Sequence, residues 1–551
     1  MVLIGGKFMK KISKIVSTTV LICSILIPGS TFSVLKPVFN SNVNAAELEK
    51  YQRKHISFFQ KDIIFLNNIL QEAIQKSLPR FDYHLLGTAL NIDIMSFLKE
   101  VKQYQKEHAG EIASKGEKEN TKFKDVVVPW SETKVIMESA YVFSPNWEFT
   151  KTEVIPPTKR QDLITKREYW AANVLSNLNL KIDIYKLKGD TPIQYATIEQ
   201  TWSLTKEIEV KVKESNDLVE LAAAIKKAMD ESKEIQKALN TDPKTYFMPI
   251  AEDLLKSENS AVVTGGLAFV ANNIKKLEDF ILKGEIMSVD MTNDKANIGF
   301  GDKETPNTLG VLIDDGYKIV EYKTVGDKEE KVEVGYSKVR KITEKEVITQ
   351  PIIVGRDYEI GDQTIEYPKV GSNILLRFGM NNFTIGGKDV IIPAMPNLGL
   401  DLEYDFGRYI EEPELYLSLG IDMNLIPSSL SHGYDTTTSS DNTTKIDIMS
   451  GIAEIGVFKK LYLRQFILNA GVRLGSLYGW EIKDQKNSTY GVGGTLLVGA
   501  HYLINPDMIL GLDTGYRFYT QVGDDLKSGN TSLPKIGSNG PIVSLFINGL
   551  F

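Results

Sequence analysis

From residue 373 onward the chain alternates. Ile374, Leu376, Phe378 and Met380 share one side of a period-two pattern, with Arg377 and Gly379 on the other. That period places successive side chains on opposite faces of a strand. Further alternating segments follow near Leu398–Phe406, Leu415–Asn424, Lys445–Phe458, Phe466–Leu474, Val492–Tyr502, Met508–Phe518 and Val543–Phe551, making eight in all. The fourth is the least regular, and a bulge is expected at Ser450-Gly451. The polar positions carry Asp401, Glu403, Asp405, Asp422, Arg473, His501, Asp513 and Arg517.

A sandwich would alternate too; the connections discriminate. Asn381–Pro393, Leu425–Thr444, Trp480–Thr489 and Gln521–Asn539 read as long and polar, while Gly407–Glu412, Lys459–Leu463 and Asn505-Pro506 read as short. Strict alternation of long and short suits an up-and-down barrel whose two mouths face different compartments. Backbone N–H and C=O groups have no partners in hydrocarbon, so strands cross it only in a closed barrel. With eight strands, side chains fill the interior. Arg377, Arg473 and Arg517 are then expected to pair with Asp401, Glu403, Asp405, Asp422 and Asp513 in a salt-bridged plug, because a charge left alone there costs several kcal/mol.

Upstream the periods change. Leu48, Tyr51, Ile56, Phe59, Ile63, Leu66, Leu70 and Ile74 recur every three to five residues and predict helix from Ala46 to about Gln105. Residues 108–125 are rich in Lys, Glu, Gly and Asn and read as a linker. Val135–Phe149 has strand composition, Leu178–Ile184 alternates, and Asp217–Leu282 is helical with a break expected at Gly265-Gly266. The resulting architecture is multidomain: a helical segment and charged linker (46–125), an α+β domain (126–283), a small β domain (284–370) and a C-terminal antiparallel eight-stranded transmembrane β-barrel (371–551).

In the third unit, Gly284-Glu285-Ile286, Ala296–Gly299, Leu309-Gly310-Val311, Asp315–Ile319, Val334-Gly335, Lys338-Val339-Arg340, Val354-Gly355 and Glu359–Asp362 follow in order. This order resembles the small β domain at the end of flagellar assembly protein T, which accompanies curli-secretion-like periplasmic domains; an insertion at Asp302–Thr308 departs from it. The glycines suit tight turns with positive φ. The alternating segment resembles the eight-stranded barrels of the outer membrane protein A type, in which a terminal phenylalanine, here Phe551, is familiar.

The N-terminus adds an address. Met9-Lys10-Lys11 and Lys14 precede an apolar run from Ile15 to Ile27, too short to span a bilayer and suited to a secretory signal within residues 1–45. Cleavage fits after Ala45 or Ser33. Ile22 before Cys23 argues against lipidation. Cys23 is the single cysteine, so no disulfide or thiolate metal site is expected beyond the signal.

Net charge is −7, with no basic patch that would bind nucleic acid. The five histidines (His55, His84, His108, His432 and His501) show no metal-ligand spacing. His501 reads as a polar lumen filler, and Gly491–Gly494 as strand rather than phosphate loop. No catalytic, cofactor-binding or metal site is expected, and no enzyme activity. What remains is a scaffold anchored in the outer membrane that presents periplasmic domains to an envelope protein partner. The alternative is a surface receptor or adhesin acting through the long extracellular loops.

Overall fold

The computed structural model describes residues 54–59, 64–86, 93–108, 120–123, 126–162, 165, 167–187, 191–256, 261–301, 305–325, 328–385, 390–432, 444–483, 487–528, 531–533 and 535–550. The signal at 1–45, most of the linker, Asp302–Glu304 and Phe551 lie outside them. The chain forms two compact units, 52–277 and 278–551.

The first unit runs β1 (Lys54–Phe59), α1 (Ile64–Ser77), β2 (Phe81–Leu86), α2 (Ile94–Glu107), β3 (Asn120–Phe123), β4 (Val126–Pro129), α3 (Trp130–Glu138), β5 (Tyr141–Phe149), β6 (Glu153–Gln161), β7 (Glu168–Lys186) and β8 (Ile193–Val210). Helices α4 (Leu218–Glu231), α5 (Lys233–Asn240), α6 (Pro243–Lys256) and α7 (Ala261–Lys275) follow. β1 pairs in parallel with β2 and β5; β7 pairs antiparallel with β5, β6 and β8. Asp217 caps α4 by accepting the N–H groups of Val219 and Glu220.

The continuous helix expected over 46–105 is thus broken by two strands. Ile56 and Phe59 sit in β1, and both are buried because this parallel sheet is covered on both faces. A strand covered twice loses its period-two signature, and its apolar residues merge with the helical stripe that follows. β1 also pairs with β5, so one sheet runs across the boundary expected at 125/126, and Phe123 from the expected linker joins the core around Phe97 and Trp130. The start of the segment read as strand, 135–138, is the end of α3. Gly265-Gly266 does not break α7. A Cβ on Gly266 would stand 2.3 Å from Trp202 Nε1, so the glycine lets the helix lie against that indole.

The second unit holds two closed barrels. β9 (Lys283–Asp290), β10 (Lys295–Gly299), β11 (Gly316–Val325), β12 (Lys328–Ile342), β13 (Glu346–Val354) and β14 (Gln363–Tyr367) close in the order β10-β13-β12-β11-β14-β9. Its interior is apolar, built on Ile286, Ile298, Tyr317, Ile319, Val339 and Val347. Positive φ is found at Gly310 and Gly361, as turns require. Gly335, by contrast, is in a strand, where a Cβ would meet Tyr358 Oη at 2.4 Å.

The second barrel comprises β15 (Ser372–Ile385), β16 (Val390–Asp405), β17 (Leu415–Asn424), β19 (Thr444–Leu463), β20 (Phe466–Glu481), β21 (Ser488–Asn505), β22 (Met508–Gln521) and β25 (Ile536–Leu550). β18 (Ser428–His432), β23 (Lys527–Ser528) and β24 (Thr531–Ser532) are short additions. Neighbours pair antiparallel, and β15–β25 together with β17–β19 complete the closed eight-stranded ring. All eight expected strands are present. No bulge interrupts β19 at Ser450-Gly451, which pair in register with Gly479 and Tyr478. The irregularity belongs to the neighbouring strand, which ends at Asn424 and resumes at Ser428.

The connections differ from expectation. Strands of 14 to 20 residues extend into segments read as loops, except for β17, which has 10. The link 386–389 is consequently shorter than 406–414, and strict alternation of long and short is lost.

Candidate functional site

On β22, Leu510, Leu512, Tyr516 and Phe518 are 43–53 % exposed, whereas Asp513 and Arg517 between them are 3 % and 1 % exposed. The same holds on β15, where Leu376 and Phe378 flank buried Arg377, and on β25, where Leu545 and Ile547 flank buried Phe546. Aromatic side chains mark both rims. Phe466 and Tyr502 pair across β20 and β21 at one end, Tyr478 and Tyr490 at the other, all four exposed. Those rims are twelve residues apart along β20. At about 3.3 Å per residue and a tilt of about 40°, that gives roughly 30 Å of height, close to the apolar band of a membrane barrel.

Inside, three arginines meet three carboxylates. Arg377 reaches Asp401 at 2.7 Å and Asp422 at 3.0 Å. Arg473 reaches Asp401 at 2.7 Å and Glu454 at 3.6 Å, and Arg517 reaches Asp422 at 2.5 Å and Glu454 at 3.6 Å. Each carboxylate bridges two guanidiniums, so the layer is neutral and cross-links β15, β16, β17, β19, β20 and β22. Removing one member would leave its partners charged in a dry interior, which costs about 3–5 kcal/mol.

Beyond the rim marked by Tyr478 and Tyr490 the pattern inverts. On β19 the outward residues change from Ile455 and Val457 to the half-exposed Asp447, while the inward ones change from Glu454 to Ile448 and Ile446. On β15 the inward positions likewise change from Arg377 and Asn381 to Phe383 and Ile385. These residues form an apolar cluster with Met395, Ile536 and the two leucines flanking the β23–β24 hairpin, Leu526 and Leu533. Apolar outside changes to apolar inside where lipid gives way to water. The eight-stranded barrel is of the outer-membrane type.

The opposite mouth meets the six-stranded barrel. Tyr336 and Ile352 of that barrel share an apolar cluster with Leu375, Tyr462, Ile467, Leu503, Ile509 and Phe546. Around it lies a buried ionic ring. Lys338 and Arg340 both bind Glu414, and Arg340 also binds Asp314. Arg408 lies 3.6 Å from Asp315, and at the exposed edge Tyr367 donates to Asp507 at 2.7 Å. Burial would raise the Glu414 carboxyl, but Lys338 and Arg340 outweigh it and hold the group below its usual range. Burial and the adjacent Glu414 push Asp314 up to about 8. Two carboxylates clamp one guanidinium; Glu414, with Lys338 besides, takes the charge and Asp314 the proton.

The sequence matches no protein-family profile and no curated protein. Among solved structures it is similar to Neisserial surface protein A, at 12 % identity over 34 % of this chain and 100 % of that one, with TM-score 0.22. Ail, the attachment invasion locus protein of Yersinia pestis, aligns at 11 % identity over 33 % of this chain and 97 % of its own, TM-score 0.18. The N-terminal β-barrel domain of Pseudomonas aeruginosa OprF aligns at 9 % over 33 % and 99 %, TM-score 0.18.

The expected lumen residues all point inward, but three partnerships differ. Glu403 pairs with Lys460 at 2.5 Å, Asp405 lies 3.7 Å from Arg408, and Asp513 binds His501 at 2.8 Å, leaving Arg517 to Asp422 and Glu454. Sequence reasoning missed Glu454 and Lys460. They are six residues apart on one strand face, opposite Ile455, Val457 and Leu461, so counting back from Leu463 would have found them. Among the described residues no cluster of three or more His, Cys, Asp or Glu is placed to hold a metal ion.

Proposed function

We propose that this chain is an outer-membrane scaffold, held by its eight-stranded barrel and presenting the 52–277 unit to a protein partner in the periplasm. The observation that carries the reading is the closed lumen: apolar at the far mouth, ionic in the middle, and stoppered at the near mouth by a six-stranded barrel with which it shares a core. A lumen so filled favours anchoring over transport. The resemblance of residues 284–370 to the flagellar assembly protein T domain fits an envelope-assembly role.

The test uses the full chain in cells, with a photo-crosslinking amino acid at Leu218 or Val219, which are 81 % and 79 % exposed on α4. The scaffold reading expects one reproducible cross-linked envelope protein, unaffected by deletion of 524–532. If those positions cross-link nothing, while deletion of 524–532 abolishes attachment of cells to a surface, the receptor or adhesin reading takes its place.

A further inference from the structure

His55 and His84 are 29 residues apart in sequence, at no recognisable ligand spacing, and α1 separates them. The β1–α1–β2 crossover brings them together. In the parallel ladder His55 stands opposite Asp82, and Ser57 opposite His84, so His55, Asp82 and His84 share a face of the β1–β2 pair. His55 Nδ1 lies 3.2 Å from His84 Nε2, with the rings 14° from parallel. The Asp82 carboxylate lies 4.0 Å from the other nitrogen of His55, Nε2. A cavity of about 500 Å³ opens beside them, lined also by Gln75, Pro79 and Tyr83.

We propose that His55 and His84 form a two-imidazole site for a divalent late-transition-metal ion. The separation fits the chemistry. Metal–imidazole bonds are about 2.0–2.1 Å, so nitrogens 3.2 Å apart subtend roughly 100° at a shared ion, between square-planar and tetrahedral angles. Asp82, 4.0 Å from the far nitrogen of His55, is a carboxylate on the side where metal-binding histidines usually find an acceptor for their second ring N–H. The cavity gives room for the waters that complete the coordination shell. Imidazole donors without thiolate or a carboxylate cage select Cu²⁺, Ni²⁺ or Zn²⁺ over Mg²⁺ or Ca²⁺, with Cu²⁺ the tightest.

In the empty site one proton lies between Nδ1 and Nε2. A metal ion takes its place: the proton shifts to the far nitrogen of its own ring, so that each metal-facing nitrogen offers a lone pair and both rings stay neutral. The partner is thus a cation, and the site lies in the unit that the scaffold reading leaves without chemistry; neither reading depends on the other.

The test titrates purified full chain in detergent with Cu²⁺ and with Zn²⁺, by electron paramagnetic resonance and calorimetry. We expect one tight equivalent and a Cu²⁺ spectrum with coupling to two nitrogens. His55→Gln and His84→Gln should each lower affinity at least ten-fold, and Asp82→Asn about ten-fold. His108→Gln should change nothing, because His108 stacks on Tyr104 outside the site. If a variant misfolds, the wild-type spectrum decides: coupling to fewer than two nitrogens overturns the site. So does binding unchanged in the folded His55 and His84 variants, or no tight equivalent at all.

Discussion

In the six-stranded barrel Ile298, Tyr317, Ile319 and Val339 face inward, while Lys318 and Glu333 pair at 2.7 Å on the outside. In the eight-stranded barrel Arg377, Arg473 and Arg517 face inward, while Leu510, Leu512 and Leu545 stand exposed. Both rings are antiparallel and closed, and both alternate with period two. The backbone sets the period; the solvent around each ring sets its sign. One strand shows the change within itself: β19 is apolar outward at Ile455 and apolar inward at Ile448, seven residues away.

The largest effect that could break this contrast is in the lumen. Arg473→Met would leave Asp401 and Glu454 short of a partner, and should cost about 3–5 kcal/mol in urea unfolding of the full chain in lipid vesicles. Wild-type stability would mean that the lumen is wet and the inversion incomplete. Next comes the belt: Leu512→Arg should cost about 2–4 kcal/mol near the midplane, whereas its inward neighbour Asp513→Asn should cost distinctly less, since His501 keeps a neutral acceptor. Equal costs would place both residues in the same solvent.

The junction between the rings should respond to pH. Asp314 titrates near 8 in the folded chain against an ordinary 3.8. The folded chain therefore holds a proton that the unfolded chain has lost, and stability falls as pH rises through that interval, levelling above it. Glu414, held below its usual range, acts in the opposite sense, and its contribution disappears in acid. The melting temperature should peak in mildly acid solution and fall by a few degrees toward alkaline pH, and Asp314→Asn should flatten the alkaline limb. An unchanged limb would remove Asp314 from the account. The smallest expected effect is none: in a planar bilayer the full chain should pass no sustained current, and a stable open level would contradict the filled lumen.

How much of this was legible depended on the solvent on each face. The eight strands were readable because lipid on one side and a polar lumen on the other keep alternation clean from Ile374 to Ile547. The small β domain was readable as β from its glycine-punctuated order, but its closure into six strands was not, because that depends on pairings such as β10 with β13 that no local pattern announces. β1 and β2 were not readable, because a sheet covered on both faces buries Ile56, Phe58 and Phe59 alike and so breaks the period-two signature. Glu454 and Lys460 were hidden because inward Ile446, Ile448 and Ile452 blur the same strand. The ring of Asp314, Lys338, Arg340 and Glu414 spans up to 100 residues of sequence, and no local period could announce it. The histidine pair was hidden for the same reason, its members joined only by a crossover.

Tyr336 and Ile352 also tie the completion of one ring to that of the other. The lowest apolar layer of the eight-stranded ring, around Leu375, Ile467, Leu503, Ile509 and Phe546, is completed by side chains from the other ring. A barrel closed before residues 283–367 have folded would hold that layer open to water at its mouth. A fragment beginning at 371 carries the same defect permanently. Final locking of the anchor therefore waits on a neighbour that folds outside the bilayer, and the slower of the two sets when the protein is finished.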